Sequence, residues 1–293
     1  MKNKIIFGCG YVGQRVADEL QQQDEVVIGV VRSAASAAVL EQAGIKALQL
    51  DLDQPLPTGF SAADLPLQEA ELFYFAPPPG KGVSDTRVRN LIAAFARLGA
   101  PRRIVYLSTT GVYGDCQGAW IDESHPVNPV VDRARRRWDA EQAFREWRQQ
   151  SGAELVTLRV AGIYGPGKLP LERLAKGLPM VRESEAPYTN RIHSADLVQV
   201  CIAAMRRGVD GEVYNVSDGQ PGTMTDYFKR VAARAELPAP AEISLAEGAQ
   251  QLSAGMMSYM RESRRLRNDK MLRELEIELL YPDLESGLEA SFD

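Results

Sequence analysis

The sequence has few of the residues that proteins use for covalent cross-links and metal sites. Its 293 residues include three Cys and two His. Cys9, Cys116 and Cys201 are odd in number and far apart, so we expect neither a disulfide framework nor a zinc site. With His125 and His193 as the only histidines, a His-based metal cluster is excluded, and we expect no metal. Unpaired cysteines favour a reducing compartment, which predicts a cytoplasmic protein.

Long apolar runs and an excess of basic residues are also absent. No stretch approaches the roughly 18 apolar residues that a membrane-spanning helix needs, so no membrane contact is expected. The net charge of -5 argues against a nucleic-acid partner. Apolar residues make up 45% of the chain and charged residues 25%, which is typical of a globular protein.

The sequence does contain short apolar runs, and segments with the periodicity of amphipathic helices lie between them. The runs predict strands over residues 4–8, 25–31, 45–50, 70–76, 103–107 and 155–160. Strands that alternate with helices predict an α/β fold, a Rossmann-like doubly wound parallel sheet with a smaller C-terminal substrate sub-domain. After residue 160 the pattern changes to Pro- and Gly-rich loops and short helices. We therefore predict a dinucleotide-binding Rossmann domain over 1–160 and a substrate-binding sub-domain over 161–293, partly interleaved with the first.

A glycine-rich loop lies between the first predicted strand and the first predicted helix. Gly8, Gly10 and Gly13 form a G-x-G-x-x-G motif, which in this context predicts dinucleotide binding rather than a mere tight turn. The first glycine permits the turn, the second lets the backbone approach a pyrophosphate, and the third lets helix and strand pack closely. Tyr11 and Val12 lie inside the motif and are expected to border the same ligand.

The end of the second strand carries no carboxylate where an NAD site would have one. Arg32 and Ser33 stand there in the segment VVRSAAS. A guanidinium group and a hydroxyl suit the dianionic 2′-phosphate of NADP, whereas the alternative is a solvated arginine at a strand end. NADP is therefore the favoured cofactor, and NAD stays open.

Three further segments together resemble a known family. They are FYFAPPPG at 73–80, YLSTTGVYGD at 106–115 and LRVAGIYGPG at 158–167. They are similar to segments of the extended short-chain dehydrogenase/reductases, the NAD-dependent epimerase/dehydratase family, and the resemblance extends from residue 2 to about residue 288. It implies that Asp51 and Leu52 line the adenine and that Ala76 borders the cofactor.

The resemblance also implies that Thr109 hydrogen-bonds the reacting oxygen of a substrate. Ser108, Thr109 and Thr110 place three hydroxyls at the end of the fifth strand, facing the predicted cleft, so at least one should reach a ligand. Ser108 is assigned to the cofactor. The alternative for each hydroxyl is that it satisfies loop backbone.

The family's Tyr and Lys, four positions apart on the next helix, correspond to Arg133 and Arg137. A spacing of four puts both on one helical face, and the stripe continues inward through Ala140 and Phe144. Arg135 and Arg136 are expected in solvent. The replacement resembles an atypical, YeeZ-like branch of the family that lacks the Tyr-x-x-x-Lys pair. Arg has a pKa of roughly 12.5 to 13.8 and cannot shuttle protons at neutral pH, but it binds phosphate and carboxylate well.

Residues 189–197, TNRIHSADL, resemble the family's segment before a late helix. There Asp196 would be structural and His193 would pack beneath the cleft. Sugar-nucleotide epimerases have an Arg four residues before this His that grips the substrate diphosphate. Here Thr189 has that place and Arg191 lies two residues before the His, so a nucleotide-sugar substrate does not follow from this segment.

The sequence thus predicts an NAD(P)-binding oxidoreductase or epimerase that acts on a small oxygenated substrate, sugar-like or anionic. Thr109 would polarise the reacting oxygen, while Arg133 and Arg137 would supply positive charge to substrate and cofactor. The proton carrier is open among Tyr113, Tyr164, water and a carboxylate such as Asp122 or Glu123. The rival hypothesis is a non-catalytic NAD(P)-binding redox sensor or scaffold protein. A homodimer is the protein partner left open.

Overall fold

The computed structural model describes residues 3–292, which form a parallel sheet with helices on both faces. The strands are β1 (Lys4–Phe7), β2 (Val27–Val31), β3 (Lys46–Gln49), β4 (Glu71–Tyr74), β5 (Arg103–Thr109), β6 (Trp120–Ile121), β7 (Glu154–Val160), β8 (Gly162–Tyr164), β9 (Met180–Val181), β10 (Tyr188–Thr189), β11 (Arg191–His193), β12 (Val213–Val216), β13 (Gly222–Thr223), β14 (Glu242–Ile243) and β15 (Arg265–Leu266).

The helices alternate with the sheet strands in the first half of the chain. They are α1 (Tyr11–Gln21), α2 (Ala34–Gln42), α3 (Thr86–Leu98), α4 (Asp132–Ser151), α5 (Leu171–Ala175), α6 (Ser194–Arg207), α7 (Met224–Arg234), α8 (Leu245–Gln251), α9 (Ala254–Met260), α10 (Asp269–Glu274) and α11 (Leu284–Phe292). Between residues 3 and 292, none of them is both long and apolar enough to cross a lipid bilayer.

Seven strands form the central sheet in the order β12-β7-β5-β4-β1-β2-β3. Every neighbouring pair in it is parallel. The strand order reverses direction beside β1, which is where open α/β sheets bind ligands, at the carboxyl ends of the strands. The predicted α/β doubly wound fold is confirmed.

Both faces of the sheet are buried because successive side chains of a strand point to opposite faces. On one face Ile6 and Val105 pack with apolar residues of α1 and α6. On the other face Ile5 and Tyr106 pack with apolar residues of α3 and α4. Such two-sided burial explains why the strands read as continuous apolar runs rather than as alternating ones.

The part of the chain after residue 160 is not separate in space from the part before it. β12 pairs with β7 at one edge of the central sheet, and α6 packs against α1. The remaining short strands form two-stranded pairs, such as β8 with β11, and β8 begins two residues after β7 ends. The interleaving therefore resides in β12 and α6, while substrate binding by the second part stays a prediction.

Candidate functional site

The three glycines of the first loop meet different surroundings. Gly8 has φ +77°, and a Cβ there would lie 2.4 Å from the backbone nitrogen of Ala76, so no side chain fits. A Cβ on Gly13 would lie 3.1 Å from the Gly8 carbonyl oxygen. A Cβ on Gly10 would meet only that oxygen, at 4.0 Å. The backbone at Gly10 thus faces open space, as close approach by a ligand requires.

The N-terminus of α1 faces the same open space. Gly10 is its N-cap, no side chain caps it in the described part of the chain, and its first turn has no acidic residue. Such a helix end attracts an anion through its free N–H groups and its dipole. Val12 is buried in the core, so only its backbone is available. The Tyr11 hydroxyl donates to the Pro166 carbonyl (2.9 Å), which ties this loop to the one after β8.

The loops after β2 and β3 lie beside each other. Arg32 follows β2 directly, its side chain is 68% exposed, and its nearest carboxylate, Asp53, is 3.8 Å away. Asp53 is already held by Arg87 through two bonds of 2.6 and 2.7 Å. The Arg32 guanidinium is thus available for a ligand. The Ser33 hydroxyl instead accepts from the Ser36 N–H and caps α2.

The residues assigned to adenine and cofactor by resemblance lie at the ends of β3 and β4. Asp51 is exposed and accepts from the Asp53 N–H (3.0 Å), and Leu52 is buried with its carbonyl bonded to Asn90. Ala76 is buried beside Gly8, and its carbonyl accepts a bond from Arg137 Nη1 (3.2 Å).

A cavity of about 460 Å³ opens at the carboxyl ends of β5 and β7. Three segments of the chain surround it: the end of β5 with α4, the segment from β8 to β11, and the segment from α7 to β15. The residues that carry its chemistry are Thr109, Thr110, Arg133, Arg137, Tyr164, Arg191, Tyr227, Tyr259, Glu262 and Arg264. Four guanidinium groups against one carboxylate make this cavity strongly cationic.

Three of these arginines have no carboxylate within 4 Å among residues 3–292: Arg133, Arg137 and Arg191. Arg133 Nη1 donates to Ser258 Oγ (2.6 Å), and its guanidinium carbon lies 4.2 Å from the Tyr259 ring centroid. Buried charges are normally paired, so the buried Arg191 and the partly buried Arg133 and Arg137 are candidates for binding an anion.

Arg191 is the most deeply buried of the three, with 7% of its surface exposed. It donates to the Thr223 carbonyl (3.3 Å), and its guanidinium carbon lies 4.3 Å from the centroid of the Tyr227 ring. Burial lowers its pKa from the ordinary value, and the nearby carboxylates of Asp218 and Asp226 offset the lost hydration only in part. A bound anion would supply further counter-charge.

Arg137 is held differently from Arg191. Burial opposes its charge, yet Tyr106 and Asp85 act in the other direction and raise the pKa of Arg137 above its ordinary value. Its side chain lies 3.5 Å from the Tyr106 hydroxyl. Arg137 therefore stays protonated, as the expectation of a binding rather than a proton-transferring role requires.

The prediction that Ser108 faces the cleft is wrong. Its hydroxyl donates to Glu141, which pairs with Arg159 at 2.8 Å inside the core. The cause is the alternation of side chains along β5, which sends Ser108 to the α4 side and Thr109 to the cavity, while Thr110 reaches the cavity from the turn after β5. Thr109 Oγ1 accepts from the Gly111 N–H at 3.2 Å, and its hydroxyl hydrogen is free for a ligand.

The expectation that Arg136 lies in solvent is also wrong. It is 8% exposed and donates to the Gly82 carbonyl, because α4 is covered on that side by the loop before α3. Arg135 is exposed as expected. Ala140 and Phe144 are fully buried, so the inward stripe of α4 ends in the core.

The candidate proton carriers differ in position. Tyr113 donates to Asn215 Oδ1 (2.8 Å) and does not line the cavity, and burial raises its pKa to about 12. Tyr164 does line it, and burial raises its pKa well above the ordinary value. Asp122 accepts from Ser124, and Glu123 from the Asn215 N–H, and neither lines the cavity.

His193 has a structural place at the start of α6. Its Nδ1 accepts from the Ala195 N–H (3.2 Å), its ring centroid lies 4.1 Å from that of Tyr281, and burial lowers its pKa to about 4. Asp196 accepts from the N–H groups of Leu280 and Tyr281 and so anchors the C-terminal segment.

Sequence reasoning missed Glu262 altogether. It is 6% exposed, lines the cavity, and pairs with Arg264 at 3.0 Å through Oε2. It lies in a short loop between α9 and β15 with no motif around it. The sole signal was its place among the basic residues of RESRRLR (261–267).

The chain is similar to known proteins in sequence and in fold. Residues 86–217 match the model of the NAD dependent epimerase/dehydratase family. Protein YeeZ of Escherichia coli (strain K12) is 26% identical over 222 residues, which are 74% of this chain and 77% of YeeZ.

Two solved structures share the whole fold. A functionally unknown conserved protein from Silicibacter pomeroyi DSS has 31% identity and a TM-score of 0.81, covering 100% of this chain and 98% of that one. A UDP-glucuronic acid 4-epimerase from Bacillus cereus in complex with NAD has 16% identity and a TM-score of 0.77, covering 99% and 97%. The match to the family model and the similarity to YeeZ confirm the resemblance to the NAD dependent epimerase/dehydratase family, and the solved structures show the shared fold.

Proposed function

We propose that this protein binds NAD(P) in the glycine loop and performs hydride-based chemistry, as an oxidoreductase or epimerase, on a small anionic substrate in the arginine-lined cavity. The observation that carries the proposal is the set of three guanidinium groups without carboxylate partners, Arg133, Arg137 and Arg191, around one cavity. This cavity lies at the carboxyl edge of the sheet, as does the glycine loop.

The residues present fit a dinucleotide. The open space at Gly10 and the uncapped N-terminus of α1 suit a pyrophosphate. Ala76 packs directly against Gly8, and its carbonyl accepts a bond from Arg137. When bound, the nicotinamide would accept or donate a hydride.

The chain's own residues have distinct roles in this proposal. Thr109 donates a hydrogen bond to the reacting oxygen of the substrate. Arg133 and Arg191 bind its anionic group, and Arg137 binds substrate or the neighbouring part of the cofactor. Tyr164 lines the cavity and is the candidate proton carrier in place of the family's tyrosine.

Arg32 favours NADP over NAD in this proposal. Its exposed guanidinium follows β2 directly, and the neighbouring carboxylate of Asp53, at 3.8 Å, is already held by Arg87. A dianionic 2′-phosphate would bind such a group through charge-assisted hydrogen bonds. Ser33 could add its hydroxyl hydrogen, since its oxygen is used in capping α2.

Binding of pyrophosphate to the Arg191→Met variant tests the anionic cavity, with saturating NADPH present so that the glycine loop is already occupied. Met has similar length and no charge, so the variant should fold and should bind pyrophosphate about 10-fold more weakly by calorimetry. Arg182→Met, which removes an exposed arginine outside the cavity, is the control and should bind like the wild type. Equal affinity of wild type and Arg191→Met would overturn the proposal.

A non-catalytic redox sensor or scaffold is the second candidate. The observation that favours it is the presence of arginine at 133 and 137, which can hold a ligand but cannot transfer protons at neutral pH. Arg133→Tyr separates the two functions. In an enzyme with intact surroundings this change should raise the oxidation of a generic sugar, followed by NADPH absorbance, whereas a scaffold should show no turnover in either form.

A further inference from the structure

Glu262 has one buried oxygen that the described protein leaves without a partner. Its Oε2 accepts from Arg264, but Oε1 has no solvent exposure and no hydrogen bond among residues 3–292. A carboxylate is an acceptor only, and a buried acceptor normally finds a donor. Glu262 lines the cavity, so a molecule bound there can bring the donor that Oε1 lacks.

The backbone at Glu262 is fixed by hydrogen bonds: its own N–H donates to the Tyr259 carbonyl (3.4 Å), and the next residue, Ser263, makes several more. The Ser263 carbonyl accepts from the N–H groups of Cys116 and Gly118, and the Ser263 N–H donates to Asp115. The Ser263 hydroxyl accepts from the Tyr188 N–H at 3.0 Å. A site whose supporting groups are fixed in this way is prepared for a ligand before it binds.

The charges of the cavity indicate the kind of donor. Arg133 donates to Ser258 and Arg191 to the Thr223 carbonyl, and neither guanidinium hydrogen-bonds Glu262 Oε1. A cavity with four guanidinium groups and one carboxylate repels an ammonium group. A neutral hydroxyl on an otherwise anionic molecule satisfies Glu262 without that repulsion.

We propose that Glu262 Oε1 binds a hydroxyl group of the substrate, and that the substrate is a polyhydroxy compound with a phosphate or carboxylate group. This inference rests on the proposed function, because the arginines bind the anionic group while Glu262 accepts a hydrogen bond from the hydroxyl. Glu262 is then a specificity-determining residue. It distinguishes a hydroxylated anion from a bare one.

The test compares hydroxylated and bare anions by calorimetry on the full chain in the presence of NADPH. The probes are glycerol 3-phosphate, D-glucose 6-phosphate and 6-phospho-D-gluconate, with inorganic phosphate as the bare anion. At least one hydroxylated probe should bind wild type about 10-fold more tightly than phosphate, and Glu262→Gln should abolish that advantage. Glu289→Gln, an exposed carboxylate on α11, is the control and should keep the advantage.

Glu262→Met combined with Arg264→Met provides a second variant, because removing both partners leaves no buried unpaired charge. It should also lose the advantage, even if its phosphate affinity falls. If phosphate binds but no probe exceeds it in wild type, or if the advantage survives in Glu262→Gln, this inference is overturned and the proposed function stands. If neither phosphate nor any probe binds, the proposed anionic cavity itself is wrong.

Discussion

At the scale of single residues, substitutions of the first two glycines of the glycine loop should have different effects, one on folding and the other on binding. A side chain at Gly8 would collide with the backbone of Ala76, whereas one at Gly10 would enter open space. We predict that Gly8→Ala lowers the free energy of unfolding by about 2–4 kcal/mol through its left-handed backbone and the collision. Gly10→Val should unfold like wild type in urea but should not bind NADPH. Retained NADPH binding by Gly10→Val would reduce the motif to a turn.

The proposed preference for NADP over NAD depends on Arg32, again a single residue. Because a charge-assisted hydrogen bond contributes about 1.5–3 kcal/mol, wild type should bind NADPH roughly 10- to 100-fold more tightly than NADH. Arg32→Ala should equalise the two affinities in a fluorescence titration. Arg97→Ala, on α3 away from the glycine loop, should leave the preference unchanged. Wild-type protein with equal affinities would contradict this role.

We predict that the titration of Asp218 makes the stability of the protein depend on pH. Burial raises the pKa of its carboxyl from 3.8 to about 7, and Arg191 lowers it only in part. The folded state therefore binds this proton more tightly than the unfolded state does, so stability is full below about pH 4 and falls as the pH rises to about 7.

Asp218→Asn removes that dependence while its side-chain oxygen still accepts from the Gln220 N–H. The variant should gain stability over wild type as the pH rises, by at most about 4 kcal/mol at about pH 8. Urea unfolding at several pH values measures the difference. A difference that stays constant from about pH 4 to about pH 8 would show that the carboxyl titrates normally.

At the scale of elements, a buried ion pair fixes α4 against the sheet. Glu141 on α4 pairs with Arg159 on β7 and accepts from Ser108 on β5. Glu141→Leu should lower the free energy of unfolding by about 3–5 kcal/mol, because it leaves the buried Arg159 guanidinium without a counter-charge. Adding Arg159→Met should recover part of the loss. Equal stability of Glu141→Leu and wild type in urea would contradict this anchoring role.

The inward stripe of α4 was predictable from sequence, but its neighbours were not. A spacing of four residues defines a helical face, so Arg133, Arg137 and Phe144 could be placed together. Arg136 lies on another face, which is buried only because the loop at Gly82 covers it. Sequence periodicity indicates which residues share a face of the helix, but it does not indicate which loops pack over that face. The position of Ser108 follows from the alternation of side chains along β5, which continues to the end of the strand and turns its hydroxyl toward Glu141.

At the scale of the whole molecule, the sheet brings together segments that are far apart in the chain. The positions of β1 to β5 and β7 along the chain, and the glycine loop, could be predicted because each depends on local patterns, whereas the order of the strands in the sheet was not predicted. The cavity could be predicted only in part, because Arg191 and Glu262 reach it from the irregular second half, where no periodicity predicts position. A family resemblance supplied Thr109 and Arg137, whereas Glu262 emerged only from an unpartnered buried oxygen.

A structure of this protein crystallised with NADPH and pyrophosphate would test the central claim most directly. The account predicts the dinucleotide pyrophosphate at Gly10 and the N-terminus of α1, the nicotinamide beside Thr109 and Arg137, and the added anion on Arg133 and Arg191. The opposite result is a dinucleotide bound elsewhere, or guanidinium groups of Arg133 and Arg137 more than about 10 Å from it, beyond a Debye length. That arrangement would contradict the proposed site.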